Sequence, residues 1–137
     1  MLTVTLNDVN PKSYDGLYLP GGRAPEYLRT NPKVLECTRC FIECGKPIAS
    51  LCHGPQILLS TGMMQGRKVT CYPTVMPEST LAGTECLKTP NDECVVDVNI
   101  VTAPTWMACP RMMTCFTDLL GVKITPPPTG PPTMHMY

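Results

Sequence analysis

The chain has 137 residues, 43% hydrophobic and 16% charged, which is enough apolar material for a folded core and excludes wholesale disorder. Its 11 basic and 11 acidic residues balance, so neither a nucleic acid nor an anionic membrane is favoured electrostatically as the partner. No apolar run reaches the ~20 residues of a transmembrane helix, and the first residues lack the basic segment of a signal peptide, so we expect a cytoplasmic protein.

The first part of the chain alternates between a short apolar run and helical periodicity. Residues 14–19 (YDGLYL) end at Pro20-Gly21-Gly22, which predicts a buried strand that runs into a glycine loop. Apolar side chains then recur at helical spacing over residues 24–44. Because Pro32 lies inside this stretch, we expect a short helical turn, a break, and a second helix that begins at Asn31.

The later elements follow the same alternation and end in a proline-rich tail. They are predicted as a strand over 46–51, a helix over 55–61, a strand over 69–72, a β-hairpin over 93–102 and a last helix over 106–120. Strands that alternate with helices indicate an α/β fold with a largely parallel sheet. We expect a domain over residues 1–124 and a disordered tail over 125–137, which contains five prolines and no apolar pattern.

Cys52 is the strongest candidate for a chemical role. The predicted strand turns at once into a helix at this residue, and a nucleophile at such an elbow needs small residues two positions before and after it. Ser50 and Gly54 occupy those positions, giving S-x-C-x-G in place of G-x-S-x-G. The helix N-terminus favours a thiolate, and the N–H groups of His53 and Gly22 are suited to an oxyanion hole. A buried structural cysteine is the commoner case, but the elbow spacing favours a nucleophile.

His53 has two interpretations. Side chains of adjacent residues on an elbow usually diverge, so pairing with Cys52 does not follow from the sequence. The alternative is a residue that orients or packs the elbow.

The nine cysteines indicate a reducing compartment because an odd number cannot pair completely. Cys37, Cys40 and Cys44 lie on one face of the predicted second helix. Small buried helix residues are favoured there over metal ligands, and we expect no metal and no other cofactor.

Four segments together resemble the DJ-1/PfpI superfamily of class I glutamine amidotransferase-like proteins. They are residues 14–29 (YDGLYLPGGRAPEYLR), 45–58 (GKPIASLCHGPQIL), 66–73 (GRKVTCYP) and 96–102 (VDVNIVT). The resemblance spans roughly residues 10–124 and is strongest to the PfpI-like branch, including its plant tandem-domain members.

The resemblance implies a flavodoxin-like three-layer α/β sandwich with a nucleophile elbow. Cys52 would be the nucleophile, with His53 and Gly22 at the oxyanion site and Gly21 and Gly54 beside the substrate. It also implies that Glu26, in the Gly-Gly-Arg-Ala-Pro-Glu motif, reaches the Cys–His pair of a neighbouring subunit, and therefore a homo-oligomer.

The family's activities suggest a small aldehyde substrate. They include glutathione-independent glyoxalase (glyoxalase III, methylglyoxal to lactate), protein deglycase and cysteine peptidase, and we expect one of the first two, with a role in methylglyoxal detoxification and stress response. Ser50 disfavours an amidotransferase, whose usual motif is G-x-C-x-G. The alternatives are a PfpI-type peptidase and a non-catalytic thiol redox sensor or pseudoenzyme.

The chain departs from the family pattern in three places. Family members begin with a strand, helix and strand that carry an acidic general acid/base, and we expect this N-terminal piece to be absent here. Val98 stands where relatives have the glycine of Asp-Gly-Asn. Ala108-Cys109-Pro110 stands where plant-type relatives have Gly-His-Pro.

Overall fold

The computed structural model of the protein describes residues 4–125, so nearly all of the predicted tail lies outside the described residues. The strands are β1 (Leu17–Leu19), β2 (Ile48–Leu51), β3 (Lys68–Val69), β4 (Glu85–Cys86), β5 (Val95–Asp97) and β6 (Ile100–Ala103). The helices are α1 (Ala24–Leu28), α2 (Pro32–Glu43), α3 (Pro55–Ser60), α4 (Met76–Leu81) and α5 (Cys109–Leu119). Short 3₁₀ turns precede β1, α4 and α5.

The main sheet has the strand order β1-β2-β6-β5. Its first three strands are parallel, and β5 pairs with β6 as the antiparallel hairpin that the sequence predicts. Every residue of the central strand β2 is buried, which explains its unbroken apolar and small-residue run. Because β1 and β2 are parallel neighbours, the loops that follow them meet at one edge of the sheet.

Helices cover both faces of this sheet. Phe41 of α2 and Ile57 of α3 pack on Ile48 on one face. Met112 of α5 packs on Ala49 and Val101 on the other. Alternate side chains of a strand point to opposite faces, so β2 supplies both cores. The predicted three-layer α/β sandwich is therefore confirmed.

The break between the first two helices is also confirmed. Asn31 caps α2, its side chain accepting from the N–H of Lys33, and Pro32 occupies the first turn. A proline is tolerated there because its missing N–H would have no helical partner.

The strand predicted over 69–72 is wrong beyond Val69. Thr70 donates its N–H to the hydroxyl of Thr102 (2.9 Å), and Tyr72 donates its N–H to the carbonyl of Cys52 (2.9 Å). These donors are therefore not available to a neighbouring strand. These two bonds hold the segment after β3 against β6 and against the residue that follows β2.

The last helix begins later than predicted. Residues 106–108 form a 3₁₀ turn, and the α-helix starts at Cys109 with Pro110 in its first turn. None of the helices within residues 4–125 combines the length and apolar character that a bilayer span requires.

The hairpin turn holds a strained residue. Val98 has φ 54°, in the left-handed region, and its side chain is 80% exposed, so no packing offsets the steric cost of a β-branched residue there. We expect Val98→Gly to raise the free energy of unfolding by about 1 kcal/mol, measured by urea denaturation. Val96→Gly, at an exposed site in β5, is the control and should lower stability. A Val98→Gly protein that is less stable than wild type contradicts this assignment of strain.

Candidate active site

Cys52 lies at the turn between β2 and α3. Its φ is 61°, the left-handed conformation that a tight strand-to-helix elbow imposes on the residue at its apex. Its N–H donates to the carbonyl of Ala103 (2.8 Å), and its carbonyl accepts from Tyr72 (2.9 Å). The backbone is thus fixed on both sides, and the thiol is half-buried at the carboxyl edge of the sheet.

The glycines around Cys52 allow the chain to approach closely. A Cβ on Gly54 would lie 2.5 Å from the carbonyl oxygen of Leu19 and 2.7 Å from Ser50 Oγ. A Cβ on Gly21 would lie 2.7 Å from the Cβ of Cys52. Real side chains do not tolerate such distances, so the loop after β1 touches the elbow only because both positions are glycine.

The structure brings Cys52 and His53 together, which the sequence left open. Cys52 Sγ lies 3.3 Å from His53 Nδ1, and both side chains are half-buried. The imidazole stacks on the ring of Tyr72, with centroids 4.8 Å apart and planes at 26°. This stacking limits rotation of the imidazole, so a ring nitrogen stays beside the thiol. A neutral histidine with Nδ1 unprotonated accepts the thiol proton in this geometry.

Two backbone hydrogen-bond donors are free in the loops at this edge of the sheet. Within residues 4–125, the N–H groups of Gly22 and His53 have no hydrogen-bond acceptor, whereas that of Cys52 is used by Ala103. They belong to the loops after β1 and β2, two neighbouring parallel strands. Unpaired N–H groups at this edge are the donors that an oxyanion hole requires.

A cavity of about 380 Å³ lies beside these groups. It is lined by Gly22, Arg23, Glu26, His53, Gln56, Thr74 and Val75. Glu26 is in the first turn of α1, half exposed and 3.7 Å from Arg23. Glu26 therefore shares a cavity with His53 of its own chain, while the reach to a neighbouring subunit stays a prediction.

Sequence reasoning missed a set of polar side chains that contact one another at the cavity wall. The carboxylate of Glu78 in α4 accepts a hydrogen bond from Gln56 Nε2 (3.2 Å) and pairs with Arg29, which follows α1. Gln56 follows His53 by three residues, so helical spacing could have placed it on the same face. Glu78 and the stacked Tyr72 carry no such signal, because α4 is only six residues long and the sequence predicts a strand at Tyr72.

The cysteines of α2 lie away from this site. Cys37 packs against the core between α2 and the sheet, and Cys44 is exposed. In the described part of the chain, no three or more His, Cys, Asp or Glu side chains are grouped as metal ligands would be.

Comparisons with known proteins agree with this architecture. Residues 1–118 match the DJ-1/PfpI family. The chain is 42% identical over 125 residues to protein DJ-1 homolog D of Arabidopsis thaliana, covering 90% of this chain and 32% of that protein. It is 47% identical over 100 residues to a deglycase of Pyrococcus horikoshii, covering 73% of this chain and 58% of that protein. The chain thus spans less than two thirds of either relative.

A solved structure shares the fold. A two-domain protein of Anabaena variabilis, with DJ-1/ThiJ/PfpI-like and ferritin-like domains, superposes with a TM-score of 0.78 at 29% identity. The match covers 85% of this chain and 32% of that one. The flavodoxin-like arrangement expected from the sequence is confirmed.

Proposed function

This chain belongs to the DJ-1/PfpI family, and we propose that it is a cysteine-dependent enzyme that acts on 2-oxoaldehydes, either free methylglyoxal or its early adducts on amines. The observation that carries the proposal is the 3.3 Å contact between Cys52 Sγ and His53 Nδ1 at a strained elbow. The deglycase among the relatives supports the same substrate class. The cavity of about 380 Å³ is small, which suits a compact substrate better than an extended peptide.

The first step forms a carbon–sulfur bond. His53 takes the proton of Cys52, and the thiolate attacks the aldehyde carbon of methylglyoxal. The aldehyde oxygen becomes an alkoxide, which the N–H groups of Gly22 and His53 stabilise, and protonation gives a hemithioacetal.

The second step moves a proton between two carbons. A base removes the hydrogen of the former aldehyde carbon, and an acid returns a proton to the adjacent carbon, giving a lactoyl thioester. Water then hydrolyses this thioester to lactate and frees Cys52. One carbon is oxidised and its neighbour reduced, so the electrons balance within the substrate. His53 and Glu26 are the titratable groups of the cavity wall suited to these transfers.

Deglycation starts from attack at the same carbon, but as a displacement instead of an addition to a carbonyl. When the aldehyde carbon carries a hydroxyl and an amine, as in an early adduct, the thiolate forms the carbon–sulfur bond as the carbon–nitrogen bond breaks. The amine leaves with the proton that His53 took from Cys52, and the same hemithioacetal remains. The two activities thus share Cys52 and every later step.

The experiment is a three-substrate assay on protein shown to be folded by circular dichroism. Lactate from methylglyoxal without glutathione, or free amine from a methylglyoxal adduct of N-acetyl-lysine, supports the proposal. Cleavage of casein without either product favours the peptidase alternative. No product from any substrate, with oxidation of Cys52 to the sulfinate by peroxide, favours the redox-sensor alternative.

Glu26→Gln tests the second acid/base group. We expect kcat for methylglyoxal to fall about 10- to 100-fold with little change in stability, because Glu26 is 52% exposed. Glu36→Gln is the matched control, since Glu36 also forms an exposed i,i+3 ion pair, with Lys33, and lies outside the cavity lining. Equal kcat values for Glu26→Gln and Glu36→Gln would remove Glu26 from the mechanism.

The homo-oligomer and the cytoplasmic location stay predictions. If Glu26 serves the site of a neighbouring subunit, mixing Glu26→Gln protein with Cys52→Ala protein should restore part of the lost turnover. Light scattering after size-exclusion chromatography gives the oligomeric state of the same samples.

A further inference from the structure

A pair of thiols lies on the far side of the sheet from α2 and α3. Cys94 immediately precedes β5, and Cys115 lies in α5. Cys94 Sγ donates to Cys115 Sγ across 3.7 Å, although the residues are 21 positions apart in the chain. Both side chains are partly buried and pack against the core beneath α5. They are therefore held together by tertiary structure and remain accessible to small reagents.

Two further contacts stabilise the segments that carry these thiols. Glu93 pairs with Arg111, one helical turn before Cys115 (3.7 Å). The hydroxyl of Thr105, just before α5, donates to the carbonyl of Asn91 (2.7 Å). The segment before β5 thus runs along α5 and is tied to it by these contacts, which keeps the two sulfurs in register.

The other close thiol pairs are less suited to cross-linking. Cys40 lies in α2, and Cys44 follows its last residue, one helical turn later (Sγ–Sγ 4.0 Å). At that spacing Cβ atoms lie about 5–6 Å apart, beyond disulfide geometry. Cys71 and Cys86 (3.9 Å) include a thiol that is only 1% exposed. Burial, the largest effect, and the neighbouring Cys86 also raise the pKa of Cys71, which disfavours its thiolate.

We propose that Cys94 and Cys115 are a site of oxidative modification, at which a hydroperoxide forms a disulfide that fastens α5 to the segment before β5. Cys115 loses its proton, and its sulfur attacks one oxygen of the hydroperoxide. The O–O bond breaks, Cys115 becomes a sulfenic acid, and the other oxygen takes up the lost proton and leaves as an alcohol or water. Cys94 then attacks the resulting sulfenic sulfur, and water leaves. Two thiols are oxidised to one disulfide and one peroxide bond is reduced, so the electrons balance.

The hydrogen bond between the two sulfurs indicates which of them reacts first with the peroxide. Burial first, and then the hydrogen bond and charge of Cys115, raise the pKa of Cys94 to about 12. Cys94 therefore keeps its proton and donates it to Cys115 Sγ. Cys115 is the sulfur that meets the oxidant, and Cys94 resolves it. The site is separate from Cys52 and does not depend on the proposed enzyme activity.

Peptide mapping of the folded, full-length chain tests the cross-link. After treatment with hydrogen peroxide and alkylation, trypsin cleavage at Lys88, Arg111 and Lys123 yields peptides 89–111 and 112–123. We expect these two peptides to be joined, and separated by a reductant. The oxidised protein should unfold about 10 °C higher than the reduced protein, because the cross-link restricts the unfolded chain.

Variants identify which thiols are joined, because peptide 89–111 also contains Cys109. The joined peptide should persist in Cys109→Ala, a matched change of another half-buried thiol at the same core. It should disappear in Cys94→Ala and Cys115→Ala, with Cys94→Ser and Cys115→Ser as substitutes if either alanine variant fails to fold. A joined peptide that survives in Cys94→Ala, or none in the folded wild-type chain, overturns the proposal.

Discussion

Replacing Cys52 with alanine should abolish turnover of methylglyoxal while leaving the fold intact. The substitution removes the sulfur that contacts His53, so the carbon–sulfur bond of the proposed mechanism cannot form. Loss of a nucleophile lowers kcat about a thousandfold or more, with only residual catalysis from binding and the N–H donors. Lactate formation without glutathione, followed at saturating methylglyoxal, is the measurement.

Two further variants separate chemistry from stability. Cys44→Ala removes an exposed thiol at the end of α2, outside the cavity lining, and should keep wild-type kcat. Cys52→Gly should be as inactive as Cys52→Ala but about 1 kcal/mol more stable than wild type, because glycine accepts φ 61° without strain. If the Cys52→Gly protein is inactive but more stable than wild type, the wild-type elbow is strained at Cys52 in order to hold the nucleophile there. Turnover that persists in Cys52→Ala would exclude Cys52 as the nucleophile and leave its contact with His53 a packing feature.

The elbow was predictable because its requirements are local. S-x-C-x-G after an apolar run encodes a tight turn by the sizes of adjacent residues, and the structure places Cys52 at positive φ as that pattern implies. The hairpin turn and the break at Pro32 are local in the same sense, since each depends on a few consecutive residues.

What the sequence did not predict depends on contacts between distant segments. The stacking of His53 on Tyr72 arises because the backbone after β3 bonds to Cys52 and Thr102 and so leaves the strand early. Glu78 reaches Gln56 from a helix too short to show a period. In both cases the deciding partner is far away in the chain, so neither propensity nor periodicity carries the information.

Gly54→Ala should destabilise the protein by about 3 kcal/mol or more and remove activity with it. Gly54 has φ −49° and ψ −39°, a helical conformation that alanine adopts readily, so backbone strain plays no part. The cost is steric, because the new Cβ would lie 2.5 Å from the carbonyl oxygen of Leu19 and 3.0 Å from that of Leu51. These are backbone atoms of β1 and β2, which cannot move without disturbing the sheet.

A control variant and a double variant test this steric explanation. Gly62→Ala, at φ 75° where a Cβ would meet nothing within 4 Å, should cost only about 1 kcal/mol, from conformational strain alone. Adding Ser50→Gly to Gly54→Ala removes the contact with Ser50 Oγ (2.7 Å) but not those with the two carbonyls. Urea denaturation should therefore show only partial recovery in the double variant. Equal losses for Gly54→Ala and Gly62→Ala would mean that the elbow relaxes around a side chain, and that the small residue two positions after Cys52 is not a steric requirement.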